Sequence, residues 1–345
     1  MQIKKQIFAA LALCLLAAPL VAEDSGVEAG RVGRAATLAN PQSRKAVREL
    51  LGMTADPSPL VRAKVCQSLG AQEHDKAVAP MCGLLASDPD AKVRAAAAKA
   101  LGQIQNKTAA PVLSRALAAD PDENVRAASA IALGRLLDGK AVFAPLAVAA
   151  KDKSTVVRTA VAQALGYEKG YAAGRLLAYL ALLDKEADVR AAAASALGMC
   201  CSNPSERVYV DTLADDPMFF WDPTWDPMPV EVVEVKIGKL HGRGQELVLR
   251  TLLYVLAADS DPRVRAGAAK GLGRSSSDSA VDPLIKSMAS DSDAQVRAAA
   301  ASALGHLGAK RALDPLAAAQ KDPDPDVRME AAYASETIAT QAYQP

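Results

Sequence analysis

Apolar positions recur along this chain in pairs of short helical faces separated by a fixed polar break. In residues 109–119, Val112, Leu113, Ala116 and Leu117 fall at the i, i+1, i+4, i+5 spacing of one helix face. Asp120-Pro121-Asp122 interrupts that face, and a second one follows through Val125, Ala128, Ile131 and Leu133 to Gly134. The pattern predicts two helices, A and B, joined by a tight turn. Asp122 is the predicted N-cap of helix B, because its carboxylate can accept the free amide hydrogens of the first turn. The same slot holds Ser58, Asp90, Ser154, Asp261, Asp293 and Asp324, with Glu186 the weakest capping type. Pro59, Pro262 and Pro325 follow it, where a first-turn proline sacrifices no hydrogen bond. Gly70, Gly102, Gly134, Gly166, Gly198, Gly273 and Gly305 close the B helices and are expected as left-handed C-terminal caps.

The unit repeats. Arg62, Arg94, Arg126, Arg158 and Arg190 follow one another with a constant period of 32; the series resumes at Arg265 and Arg297 and closes, one position short of a full period, at Arg328. Six residues before each stands an aspartate: Asp56, Asp88, Asp120, Asp152, Asp184, Asp259, Asp291 and Asp322. A single hairpin of this length cannot bury its apolar stripe, so neighbouring units must stack. The expected fold is all-α: an α-solenoid of helical hairpins. Composition agrees, since half of the 345 residues are hydrophobic but only 4% are aromatic, and alanine suits closely packed helices. A net charge of +1 lacks the basic footprint of a nucleic-acid binder.

The Asp…Val-Arg frame, the proline early in helix A (Pro80, Pro111, Pro145, Pro283, Pro315) and the Ala-Leu-Gly ending resemble HEAT repeats. The short period is similar to that of the subgroup found in phycobilin lyases and related proteins. The resemblance spans residues 43–335 and implies a right-handed superhelix with the B helices on its concave side. It also implies that each turn aspartate and helix-B arginine of the eight pairs above belong to a ladder between successive repeats. Hydroxylases of this kind that bind a di-iron centre use repeated His-Glu pairs; this chain has none.

The frame breaks once. The gap between Arg190 and Arg265 is too long for one period and reads as two periods plus 11. On that count a sixth unit has helix A near 205–214, Val233 in place of its arginine, and an inserted segment at 217–229 in its turn. Its β-branched helix B would also suit a short strand. The insert carries both tryptophans, Trp221 and Trp225, beside Phe219 and Phe220. Large aromatics in a proline-stiffened loop suit a binding hot spot, and equally a plug for the gap left by the degraded unit.

The ends and the chemistry add less. Lys4 and Lys5, the apolar run from Ile7 to Ala18 and the small residue Ala22 predict a signal peptide over 1–22, hence a periplasmic or secreted protein with no membrane insertion after cleavage. The expected layout is then 23–42 as an N-terminal segment, repeats over 43–216, the insert 217–229, a degenerate unit with further repeats over 230–335, and a tail 336–345. An exported chain permits disulfides. Cys66 on helix B and Cys82 on the next helix A are a candidate pair, or else two buried thiols. Cys200-Cys201 reads as partly buried free thiols, as one cysteine paired elsewhere, or as a copper or redox site. Asp215, Asp216, Asp222 and Asp226 suit turns and caps better than calcium. No phosphate loop, nucleophile elbow or zinc motif occurs. The residues five after each arginine (Gln67, Lys99, Ile131, Gln163, Ser195, Lys270, Ser302 and Tyr333) form a mildly polar row.

The expectation is therefore a non-enzymatic protein-binding scaffold of the bacterial cell envelope, with no cofactor or metal, that holds a protein partner through its concave face and the aromatic insert. The alternative is a HEAT-like lyase or chaperone, or a metal- or redox-linked accessory protein.

Overall fold

The computed structural model describes residues 26–39, 44–136, 140–168, 170–200 and 245–341. Every regular element among them is helical. The chain divides into two compact units, Met1–Ala132 and Leu133–Pro345. In the first, α1 (26–37) precedes α2 (Arg44–Gly52), α3 (Pro59–Ala71), α4 (Val78–Ser87), α5 (Ala91–Ile104) and α6 (Ala110–Ala119). α7 (Glu123–Arg135) runs across the division. The second unit continues with α8 (Lys140–Ala149), α9 (Thr155–Leu165), α10 (Tyr171–Leu183) and α11 (Ala187–Cys200). After the undescribed stretch come α12 (Gln245–Ala258), α13 (Pro262–Gly273), α14 (Val281–Ser290), α15 (Ala294–His306), α16 (Leu313–Ala319) and α17 (Pro325–Gln341). The signal sequence expected over 1–22 and the insert 217–229 lie outside the described residues.

Even-numbered helices are the A helices and odd-numbered ones the B helices. Successive B helices pack on one another, α3 on α5 in the first unit, and α9 on α11, α11 on α13, α13 on α15 and α15 on α17 in the second. The valine before each arginine (Val61, Val93, Val125, Val157, Val189, Val264, Val296, Val327) is wholly buried, as is the leucine before each repeat glycine (Leu69, Leu101, Leu133, Leu165, Leu197, Leu272, Leu304). Each buried Val or Leu side chain contributes about 1.5–3 kcal/mol of hydrophobic driving force, and the alanines between them supply closeness.

The capping slots behave as their side chains dictate. Asp90 Oδ1 accepts from the N–H groups of Lys92 and Val93, Asp122 from Asn124 and Val125, Asp293 from Gln295 and Val296, and Asp324 from Asp326 and Val327. Pro59 and Pro262 open α3 and α13 at first-turn positions.

Three expectations are corrected. The repeat glycines are not left-handed caps: among the described residues the only glycine in the left-handed region is Gly308. The left-handed turn comes three residues later, at Glu73, Gln105, Ser276 and Gly308, with φ of 49°, 56°, 51° and 63°. The glycines remain helical because the next B helix passes so close. A Cβ on Gly102 would stand 2.8 Å from Ala132 Cα, one on Gly134 2.7 Å from Ala164 Cα, and one on Gly273 2.8 Å from Ala303 Cα. Second, 23–42 is not merely a leading segment. α1 packs as a B helix, with Ala35 O accepting from Ser68 Oγ at 2.8 Å and Leu38 O from Gln72 Nε2 at 2.5 Å. Third, Cys66 and Cys82 are free thiols. Cys66 faces the α3 core, where burial pushes its thiol up to about 12, while Cys82 sits on a half-exposed face of α4.

Two glycines separate these causes. Gly102→Ala should lower stability by about 1–3 kcal/mol, the cost of overpacking against backbone. Gly83, in α4, has nothing within 4 Å of its Cβ position. Gly83→Ala should raise stability by up to about 1 kcal/mol through helix propensity alone. Denaturant melts check both, and a loss at both positions would defeat the close-approach argument.

Candidate functional site

The polar frame of the repeat becomes a chain of ion pairs. Arg62 Nε and Nη2 donate to Asp88 Oδ2 and Oδ1 at 2.7 and 2.9 Å, and Arg94 does the same to Asp120 at 2.8 and 2.9 Å. In the second unit Arg158 takes Asp184, Arg265 takes Asp291, and Arg297 takes Asp322, all bidentate at 2.7–3.0 Å. Each arginine thus holds the aspartate of the following repeat. Its own turn is held by the remaining nitrogen: Arg62 Nη1 donates to Asp56 O and Pro57 O at 2.8 and 3.0 Å. Arg126 Nη1 likewise reaches Asp120 O and Pro121 O. The aspartate also accepts within its own turn, as Asp88 Oδ1 does from Asp90 N at 3.0 Å and Asp152 Oδ1 from Ser154 N at 2.8 Å.

Sequence reading missed one member. Arg31 Nε on α1 lies 3.0 Å from Asp56 Oδ2, close enough for an ion pair though not aligned for a hydrogen bond. The signal was present, since Arg31 precedes Asp56 by one position less than Arg62 precedes Asp88. It lacks the Val-Arg frame and its turn aspartate, so only spacing could have revealed it.

At the break the structure corrects the arithmetic. Arg190 Nε and Nη2 donate to Asp259 Oδ2 and Oδ1 at 2.8 and 3.1 Å, a sequence separation of 69 in place of the 26 between Arg62 and Asp88. The gap is therefore one period plus 43 rather than two periods plus 11. α11 packs directly on α13, and α10 on α12. Gly198 faces the backbone of Gly271, and a Cβ on Gly267 would stand 2.7 Å from Ala191 O. The sixth unit proposed near 205–242 therefore has no place between α11 and α13. Phe219, Phe220, Trp221 and Trp225, the Asp215–Asp226 cluster, His241 and Cys201 all lie outside the described residues. Cys200 is buried, and its thiol donates to Glu168 O at 3.1 Å.

The rest of the surface offers little concentrated chemistry. Gln67, Lys99, Gln163, Lys270 and Tyr333 are exposed, and Ile131, Ser195 and Ser302 are half-buried. Among the described residues no three His, Cys, Asp or Glu side chains are placed to hold a metal ion. No helix among them is long and apolar enough to cross a membrane.

These units define a class: an α-solenoid of helical hairpins stitched by an arginine–aspartate ladder. The family model for HEAT repeats matches residues 28–101, 47–134, 115–198 and 249–336, and the chain belongs to that family. No curated protein matches it. Among solved structures it is similar to the Escherichia coli protein YibA, with 22% identity, 84% of this chain and 92% of that one covered, and a TM-score of 0.46. It is also similar to human deoxyhypusine hydroxylase (18%, 86% and 96%, 0.34). A third is the CpcE–CpcF complex of phycocyanin lyase from Nostoc sp. (18%, 85% and 94%, 0.45). Two of these are enzymes. The expectation that this chain is not an enzyme is corrected accordingly: repeats of this kind occur in catalytic proteins, and the lack of a familiar motif in the sequence excludes nothing.

The ladder sets two expectations. Burial raises the Asp88 carboxyl, but the Arg62 hydrogen bonds, the Asp90 N–H and the charges of Arg62 and Arg94 outweigh it and hold it below the usual carboxylate range. Asp120 and Asp291 are held low in the same way. Their side chains are largely buried, with Asp88 only 3% exposed. Arg94→Ala should therefore cost about 1–3 kcal/mol by leaving Asp120 without its ion pair, and Arg328→Ala clearly less, since among the described residues no carboxylate is hydrogen-bonded to it. Equal losses in urea melts would refute this. A carboxylate whose pKa is lowered on folding contributes stability above its unfolded value and loses it as pH falls through the folded one. Stability should hold from neutral pH down to the ordinary aspartate value of 3.8 and then fall steeply as several rungs protonate together. Melts in a series of acidic buffers check this, and a decline that began well above that value would implicate other groups.

Proposed function

We propose that the chain is a protein-binding scaffold of the cell envelope, exported by its first 22 residues, which holds a protein partner through the exposed B-helix row and the aromatic segment Phe219, Phe220, Trp221 and Trp225. The Arg190–Asp259 rung is the observation that carries this reading. Because the stack is continuous from α11 to α13, there is no missing unit for the aromatic residues to plug. A segment with both tryptophans that the stack does not require is free to serve recognition, and aromatic side chains bring large contact area at low entropic cost.

The test replaces residues 201–244 with a five-residue turn, the length that joins α9 to α10 (166–170). The shortened chain is expected to melt as the full one does and to lose its envelope partner in cross-linking and pull-down. Trp221→Ala or Trp225→Ala should weaken the complex by about 2 kcal/mol or more without changing the melt. A large loss of stability on deletion, with the partner still held, would overturn the proposal.

A further inference from the structure

The first unit carries a concentrated positive patch that the repeat frame does not use. Between Glu28 and Asp56 five cations, Arg31, Arg34, Arg44, Lys45 and Arg48, meet a single carboxylate, Glu49. The fold accounts for two of them. Arg31 lies against Asp56, and Arg34 Nε and Nη2 donate to Glu49 Oε1 and Oε2 at 2.6 and 2.9 Å. The Arg34 hydrogen bonds, helped by the charges of Arg34 and Lys45, hold Glu49 below the usual carboxylate range. Glu49 is therefore ionised, and both its oxygens are taken. Arg44, Lys45 and Arg48 have no ion pair or side-chain hydrogen bond among the described residues, and all three are exposed.

Nothing in the fold requires these three charges. α2 buries Ala46, Val47 and Leu50. At about 100° per residue, Arg44, Lys45 and Arg48 fall within one arc on the opposite side of the helix. They stand near its N-terminal end, where a positive side chain opposes the helix dipole. Arg44 and Arg48, one turn apart, also repel each other. With Arg34, four cations against one carboxylate leave the patch at +3. It offers charge without a fixed shape. Arg62 and Arg94 are each held by two turn carbonyls, whereas no backbone group fixes the three cations of α2 among the described residues. Long unanchored side chains suit a diffuse anionic plane better than a single carboxylate. In the sequence the apolar run that closes at Ala18 ends 26 residues before Arg44.

We infer that Arg34, Arg44, Lys45 and Arg48 form a docking surface for a membrane, on which α2 lies against the phosphate headgroups of anionic lipids without entering the bilayer. Clustered Lys and Arg side chains are drawn to such a surface, and the attraction fades within a Debye length. The choice of a lipid surface rests in part on reading residues 1–22 as the segment that brings the chain to a membrane. α2 is an A helix, so this contact leaves the B-helix row free.

The full chain is sedimented with vesicles of phosphatidylcholine alone and with vesicles of phosphatidylcholine mixed with phosphatidylglycerol. Comparing the two removes whatever the apolar N-terminus contributes to both. Partition should be stronger on the anionic vesicles and should fall as salt is raised. Arg44→Gln, Lys45→Gln and Arg48→Gln should each weaken it about fivefold, and about a hundredfold together, with neutral vesicles and the melt unaffected. Arg44→Lys with Arg48→Lys should bind as the parent does, because a headgroup plane reads charge and not the guanidinium fork. Equal partition on the two kinds of vesicle overturns the inference, as does binding indifferent to the glutamine changes. Loss of binding in the lysine variant would mean shaped recognition and would also defeat it. Capture by soluble polyglutamate without preference for anionic vesicles would make the occupant an acidic protein, with the same consequence. Vesicle binding needs neither export nor a protein partner, so a failure here is separate from a failure of the pull-down.

Discussion

Within each unit, successive repeats are registered by a guanidinium that serves two turns at once. Nη1 of Arg62 closes its own A–B turn through the carbonyls of Asp56 and Pro57, while Nε and Nη2 hold the carboxylate of Asp88 in the next. Asp88 in turn accepts from the N–H of Asp90, the cap of the following helix. Turn, cap and inter-repeat contact are thus one network in which the charged groups find partners. Such partly buried pairs contribute modestly over an apolar substitute, but losing one member leaves a desolvated charge. The network therefore punishes any slip in stacking register more than it rewards correct stacking.

Packing adds a second constraint that follows from the first. To bring Arg94 within 2.9 Å of Asp120, α5 and α7 must run close together, and only a residue without a side chain fits where they nearly touch. Gly102 meets Ala132 there, and Gly273 meets Ala303. Where α11 meets α13, Gly198, Gly267 and Gly271 all lie against opposing backbone. The stack is thus drawn in tightly where α11 meets α13. The family model agrees with this repeat architecture.

Much of this was legible without coordinates, because its causes are local. The alternation of apolar faces, the capping aspartates and the first-turn prolines act within a few residues, so period, helix pairs and all-α class follow from spacing alone. The recurrent arginines and aspartates could be named as a ladder, since residues in strict register in a stack must come to face one another. Whether a glycine is a cap or a contact was not legible: both uses place it at the end of a helix, and only the approach of a distant helix distinguishes them. Nor could the gap between Arg190 and Arg265 be divided correctly, since two periods plus 11 and one period plus 43 fit the same count. The choice belonged to the carboxylate that Arg190 reaches, that of Asp259, at a sequence separation of 69. Arg31 entered the ladder for the same reason, by proximity in space to Asp56 with only a spacing to suggest it. The sequence by itself determined the repeating unit, because hydrogen bonds and apolar periodicity within a hairpin are short-range. Tertiary structure alone decided which units are neighbours, because that depends on close contact between helices far apart in the chain.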